Sequence, residues 1–114
     1  MIRQWLFVGH FVVLFSFLLS SPAHASQDQF NIGKQKAKVC MTCHGADGIS
    51  TLDPYPNLRG QKVGYLISAL KDYKARDRTS GLAILMQQQA DSLSEQDIKD
   101  ISFYYSNLGK ETSQ

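Results

Sequence analysis

Cys40, Met41, Thr42, Cys43 and His44 place two thiols three positions apart, with an imidazole directly after the second. Thiols at that spacing can bond two vinyl-derived carbons on one edge of a porphyrin, and the next residue then reaches the iron from the proximal side. A neutral imidazole suits that task, because one ring nitrogen ligates while the other donates a hydrogen bond. C-x-x-C-H is therefore read as the attachment site of one covalent haem c, held by Cys40 and Cys43, with His44 as an axial iron ligand. Three plainer readings compete. A redox dithiol belongs beside a βαβ pattern, and none is visible. A structural zinc site wants four Cys or His ligands, more than the chain offers once its leader is set aside. A disulfide across so short a loop gains little.

That leader is residues 1–25. Arg3 precedes an uncharged apolar run from Leu6 to Leu19, which Ser20, Ser21 and Pro22 interrupt. Ala23-His24-Ala25 then gives the small-x-small pattern of a cleavage point before Ser26. The run falls short of the roughly 20 residues that cross a bilayer as a helix. A cleaved signal peptide (1–25) ahead of one domain (26–114) is expected, with export to the periplasm and no stable membrane span after cleavage. A retained N-terminal anchor is the competing reading. Cleavage removes Trp5, His10 and His24, leaving His44 as the one histidine.

Composition narrows the classes further. The chain has 114 residues, 12 Lys+Arg against 10 Asp+Glu, 43% hydrophobic and 19% charged residues. This length allows one domain. The charge balance is too even for a nucleic-acid binder, and the apolar content is too high for a disordered tail. Two cysteines exclude a disulfide-dense scaffold.

Counting constrains the second axial position. Without a second histidine, bis-His ligation from one mature chain is excluded, and a Met thioether is the usual strong-field partner. Met41 sits inside the attachment peptide, on the proximal side. Met86 lies far enough along the chain to reach the opposite face, and it is the expected sixth ligand. A lysine, a water or an open position are the alternatives, and Met86 as core filler beside Leu82, Ile84 and Leu85 is the bland one.

Three helices are expected to position these groups. The first runs from about Asn31, a possible N-cap, to Cys43, with Gly33, Ala37 and Cys40 on one face. The second spans Val63 to Arg76, with Val63, Leu66, Ile67, Leu70 and Tyr73 as its apolar stripe. The third starts at a Ser94…Asp97 capping sequence, buries Ile98, Ile101, Tyr105 and Leu108, and stops at Gly109. Gly45 to Gln61 is punctuated by Gly and Pro and reads as loop. Asp77 to Leu93 is a second long connection containing a short helix, Leu82–Gln89. No stretch alternates with period two, so no sheet is expected. The fold class is all-α: three main helices and long loops wrapped around a cofactor that fills a core too small to stand alone.

Across residues 31–108 the sequence resembles the class I monohaem cytochromes c, nearest to the bacterial c553 and c4-like domains. Cys40–Gly48 is similar to the attachment segment and the loop that follows it. Tyr55–Gln61 and Tyr65-Leu66 resemble the Pro-x-Leu-x-Gly-Gln…Tyr-Leu stretch, while Met86, Ala90, Leu93-Ser94, Asp97-Ile98 and Tyr104-Tyr105 match the spacing from axial Met to last helix. The resemblance implies that the Pro56 carbonyl accepts the outer N–H of His44, fixing the ring. It also implies that Gly33 lies where the first and last helices cross, with Tyr105 opposite. Arg59, Arg76 and Arg78 each become a possible partner for a haem propionate, and Arg59 departs from the alanine common in c4-like sequences. The implied function is a periplasmic electron carrier, not an enzyme, whose partners are redox-protein donors and acceptors. A dedicated cytochrome subunit of a larger oxidoreductase, such as a sulfide or other dehydrogenase, is the alternative. A ligand-binding sensor or peroxidase would need an open sixth position.

Overall fold

The computed structural model describes residues 22–110, so the apolar run of the expected leader lies outside the described residues. Helix α1 spans Pro22–Lys36. Asn31 is thus a mid-helix residue and not the expected N-cap, because Ala23 to Gln29 contains no breaker and extends the helix toward the N-terminus. Residues 22–28 are exposed, and burial starts at Gln29 and Phe30. Cleavage after Ala25 would therefore shorten α1 by one solvent-facing turn without touching the core. The chain then tightens into a 3₁₀ turn, Ala37–Val39, and ends in the single turn α2, Met41–His44.

Gly45 stops α2 with φ 85°, and a side chain there would meet the Ile49 carbonyl. The loop that follows is tied down by backbone bonds: Leu58 and Arg59 both donate to the Gly48 carbonyl, and the Gly60 N–H donates to the Tyr105 carbonyl at 2.9 Å. Such internal satisfaction lets a long irregular segment hold a fixed shape.

Helix α3, Val63–Lys74, ends before the expected Arg76. Arg76 itself has φ 67°, and the Asp77 N–H closes back on the Asp72 carbonyl at 2.8 Å. Leu66 and Ala69 are its buried residues, whereas Val63 is exposed. The expected stripe is thus covered only where α4 and α5 lie against α3. Helix α4, Ala83–Asp91, turns Ala83, Gln87 and Ala90 inward. Helix α5, Glu95–Asn107, carries the expected capping box. Ser94 Oγ accepts from the Asp97 N–H, and the Asp97 carboxylate accepts from the Ser94 N–H. Gly109, with φ 89°, follows its C-terminus.

The core gathers Phe30, Ala37, Leu66, Ile101, Tyr104 and Tyr105, with the Phe30 and Tyr104 rings 5.0 Å apart. Because α1 packs on one side of α5 and α3 on the other, α5 buries more than one stripe. Tyr104, Asp100 and Ser102 are inside along with Ile98 and Ile101. Gly33 lies against Asp100 and Tyr104, not against Tyr105 as the resemblance implied. One residue along a helix is a rotation of about 100°, and it carries Tyr105 round to the cavity that α3 and α4 help to enclose. Among the described residues there is no strand and no helix long and apolar enough to cross a membrane.

Candidate cofactor site

The loop after α2 and helices α3, α4 and α5 enclose a cavity of about 540 Å³, a size suited to a cofactor. Cys40, Cys43, His44, Pro56, Met86 and Tyr105 all line it. The residues expected to hold the cofactor, Cys40, Cys43, His44, Pro56 and Met86, therefore face the same space.

His44 is buried. Its Nδ1 lies 2.8 Å from the Pro56 carbonyl oxygen. A carbonyl can only accept, so Nδ1 carries the proton and Nε2 keeps its lone pair. That Nε2 is buried with no hydrogen-bond partner. An orphaned buried acceptor costs free energy unless a group outside the polypeptide satisfies it. A metal at Nε2 would do so, and the Tyr55 ring, set edge-on 6.3 Å from the imidazole, helps fix its plane. Cys40 and Cys43 are not joined to each other, and burial pushes the Cys40 thiol pKa up. Both thiols are therefore available for thioether bonds at the cavity wall.

Met86 projects from α4 into the cavity from an element remote in sequence from His44. Leu82, Ile84 and Leu85 are exposed, and Met86 is not among the residues packed on the core.

Two further orphans sit on α5. Ser102 Oγ and Tyr105 Oη are buried without partners, and both residues line this cavity. Burial raises the Tyr105 pKa, so its hydroxyl stays protonated and available as a donor. Sequence reading found Tyr105 as an apolar stripe residue but missed Ser102, since one serine on an amphipathic helix carries no distinguishing signal. It also missed Gln87, buried beside Met86, whose Nε2 donates to the Arg78 carbonyl at 2.7 Å. The spacing of Ala83, Gln87 and Ala90 on one face was the available clue, masked by Gln88 and Gln89 alongside.

A second concavity of similar volume lies outside this region, over Ala25, Gln29, Ile32, Lys36 and Asp100. It is open, and the polar groups around Asp100 are engaged with one another. Gln29, Lys36 and Gln96 all donate to the Asp100 carboxylate.

The sequence profile described as Cytochrome c matches residues 30–109. The chain belongs to the cytochrome c family. Cytochrome c-554(548) of Halomonas halodenitrificans is 45% identical over 75 residues, which is 66% of this chain and 90% of that protein. Cytochrome c4 of Pseudomonas aeruginosa is 39% identical over 89 residues, covering 78% of this chain and 42% of that one. The crystal structure of reduced recombinant cytochrome c4 from Pseudomonas stutzeri matches with a TM-score of 0.62 at 29% identity, over 75% of this chain and 49% of that one. The chain thus spans half or less of the cytochrome c4 chains it matches. Its fold is the all-helical class I cytochrome c fold, and the cofactor of its family is covalent haem c, with Cys40 and Cys43 in the attachment positions.

Proposed function

We propose that this cytochrome is a periplasmic carrier of single electrons, with one haem c axially held by His44 and Met86. The orphaned, buried Nε2 of His44, facing a cavity that Met86 also lines, carries the reading. When bound, the haem supplies reversible one-electron chemistry between its ferric and ferrous forms.

The chain's own residues hold and tune it. Cys40 and Cys43 fix one edge by thioether bonds. The Pro56 carbonyl orients the His44 ring and raises its basicity through the Nδ1–H bond. Met86 would offer its thioether to the iron from α4, which would keep small ligands out and favour the reduced form relative to bis-His ligation. Leu66, Ala69 and Ile101 in the wall exclude water from the interior. The protein acts by docking briefly with donors and acceptors. The periplasmic location rests on the leader at residues 1–25.

One reading departs in partner and not in chemistry. Among the relatives, a protein of Chlorobaculum tepidum named cytochrome subunit of sulfide dehydrogenase is 35% identical over 71 residues. Service as a dedicated subunit of such a complex is the alternative to free shuttling.

Voltammetry of the purified, matured protein, with purification from its native source in parallel, tests both. A reversible one-electron wave from a protein isolated alone supports the free carrier. Stoichiometric co-purification with a flavin or molybdenum protein supports the subunit. Absence of any reversible wave defeats both.

A further inference from the structure

Three arginines were open as partners of the cofactor's acidic edge, and their surroundings separate them. Arg76 is engaged elsewhere: its Nη1 and Nη2 donate to the two Asp91 carboxylate oxygens at 2.7 and 2.8 Å, on the surface. The guanidinium of Arg59 packs beside Gly109 past the end of α5. Neither contributes to the cavity wall.

Arg78 differs on each count. It is half-buried and lines the cavity. Its Nη1 donates to Tyr73 Oη at 3.3 Å and its Nη2 to Tyr65 Oη at 3.4 Å. The guanidinium carbon also stands 5.2 Å from the Tyr73 ring centroid and 5.9 Å from that of Tyr65, within cation–π range. Behind it, buried Gln87 grips the Arg78 carbonyl, tying this loop to the helix turn that carries Met86. Among the described residues Arg78 has no carboxylate partner.

A guanidinium cannot shed its charge and has five N–H donors, of which the tyrosines take two over long contacts. A partly desolvated cation served only by neutral groups lacks a counter-charge. The same cavity is read as taking a haem, whose rim bears carboxylate side chains. A planar carboxylate matches the free edge of the guanidinium in bidentate fashion.

We propose that Arg78, aimed by Tyr65 and Tyr73 and tethered by Gln87, is the anchor for a haem carboxylate at the cavity wall. This deepens the cofactor reading and rests on it. The anchor does two things. It would hold the macrocycle by a contact independent of the thioether bonds, and it would bring one permanent positive charge beside the cofactor, favouring the ferrous state.

The test compares full-length, haem-matured wild type with Arg78→Gln, Arg78→Lys and Arg76→Gln. Resonance Raman reads the bending modes of the haem carboxylates, and voltammetry reads the midpoint potential. Arg78→Gln is expected to retain the haem and its axial ligands by visible spectrum, to shift a carboxylate mode, and to lower the potential. Arg78→Lys falls between, and Arg76→Gln superimposes on wild type. Carboxylate modes and potential of Arg78→Gln equal to wild type overturn the proposal. Should Arg78→Gln fail to mature, Arg78→Lys decides in the same way: a shifted mode supports the anchor and an unchanged one overturns it. Wild-type protein that matures without covalent haem refutes the cofactor reading itself, an outcome distinct from either.

Discussion

Gly33 in α1 sits so close to Asp100 in α5 that a Cβ built on it would stand 2.1 Å from the Asp100 carbonyl oxygen and 2.8 Å from Tyr104 Cβ. The obstacle is largely backbone and cannot swing aside. This approach also brings Lys36 onto α5, where its Nζ lies 2.7 Å from Asp97 and 2.8 Å from Asp100. The helix pair that walls off one side of the core is thus set by an absent side chain and locked by one cation.

Gly33→Ala is expected to push α1 off α5, at a cost of about 1–3 kcal/mol or more, the range for overpacking a close interface. Chemical denaturation of the haem-loaded variant checks this. A midpoint equal to wild type would show that the two helices can separate freely.

Acid stability should depend on Lys36. Its ammonium, together with the Ser94 backbone N–H and hydroxyl, holds the Asp97 carboxyl down to about 2. Burial pushes the Asp100 carboxyl up, but hydrogen bonds from Lys36, Gln96 and Gln29 outweigh it and keep it below the ordinary range. Groups depressed on folding stabilise above their unfolded pKa of about 3.9, and that contribution is lost as pH falls toward 2. Lys36→Gln is therefore expected to destabilise most near neutral pH, with the gap to wild type closing between about pH 4 and 2. Parallel melting curves across that window check it, and a gap that widens in acid would contradict it. High salt should narrow the gap at every pH, because Lys36 and Asp97 are partly exposed.

Much of this was legible in the sequence, for different reasons at different places. The C-x-x-C-H segment and the Ser94–Asp97 cap depend on residue type at fixed local spacing, which survives folding unchanged, whereas Met86 emerged only by counting and by the resemblance. The start of α1 was misplaced because Asn31 resembles a cap, while the helix already runs through Pro22–Asn31, part of which reads as a leader's cleavage region. The partner of Gly33 was off by one residue, since the stripe on α5 does not reveal which neighbour lies on which side. Arg78, Tyr65, Tyr73 and Gln87 converge from a loop and two helices, and no pattern along the chain encodes that meeting.

Met86→Ala is expected to leave the haem covalently bound while opening the iron and lowering the potential, by a fraction of the ~0.8 V span that axial ligands command. Loss of the weak far-red sulfur-to-iron band of the ferric protein should accompany it. An unchanged band and potential in the variant would remove Met86 from the iron.

The most direct test of the carrier account is carbon monoxide binding to the ferrous wild-type protein at neutral pH, followed by visible absorption. A six-coordinate iron closed by His44 and Met86 gives little or no rapid change in the spectrum. Fast, complete conversion to the carbonyl form would mean an open face, and with it a protein built to bind ligands and not to pass electrons.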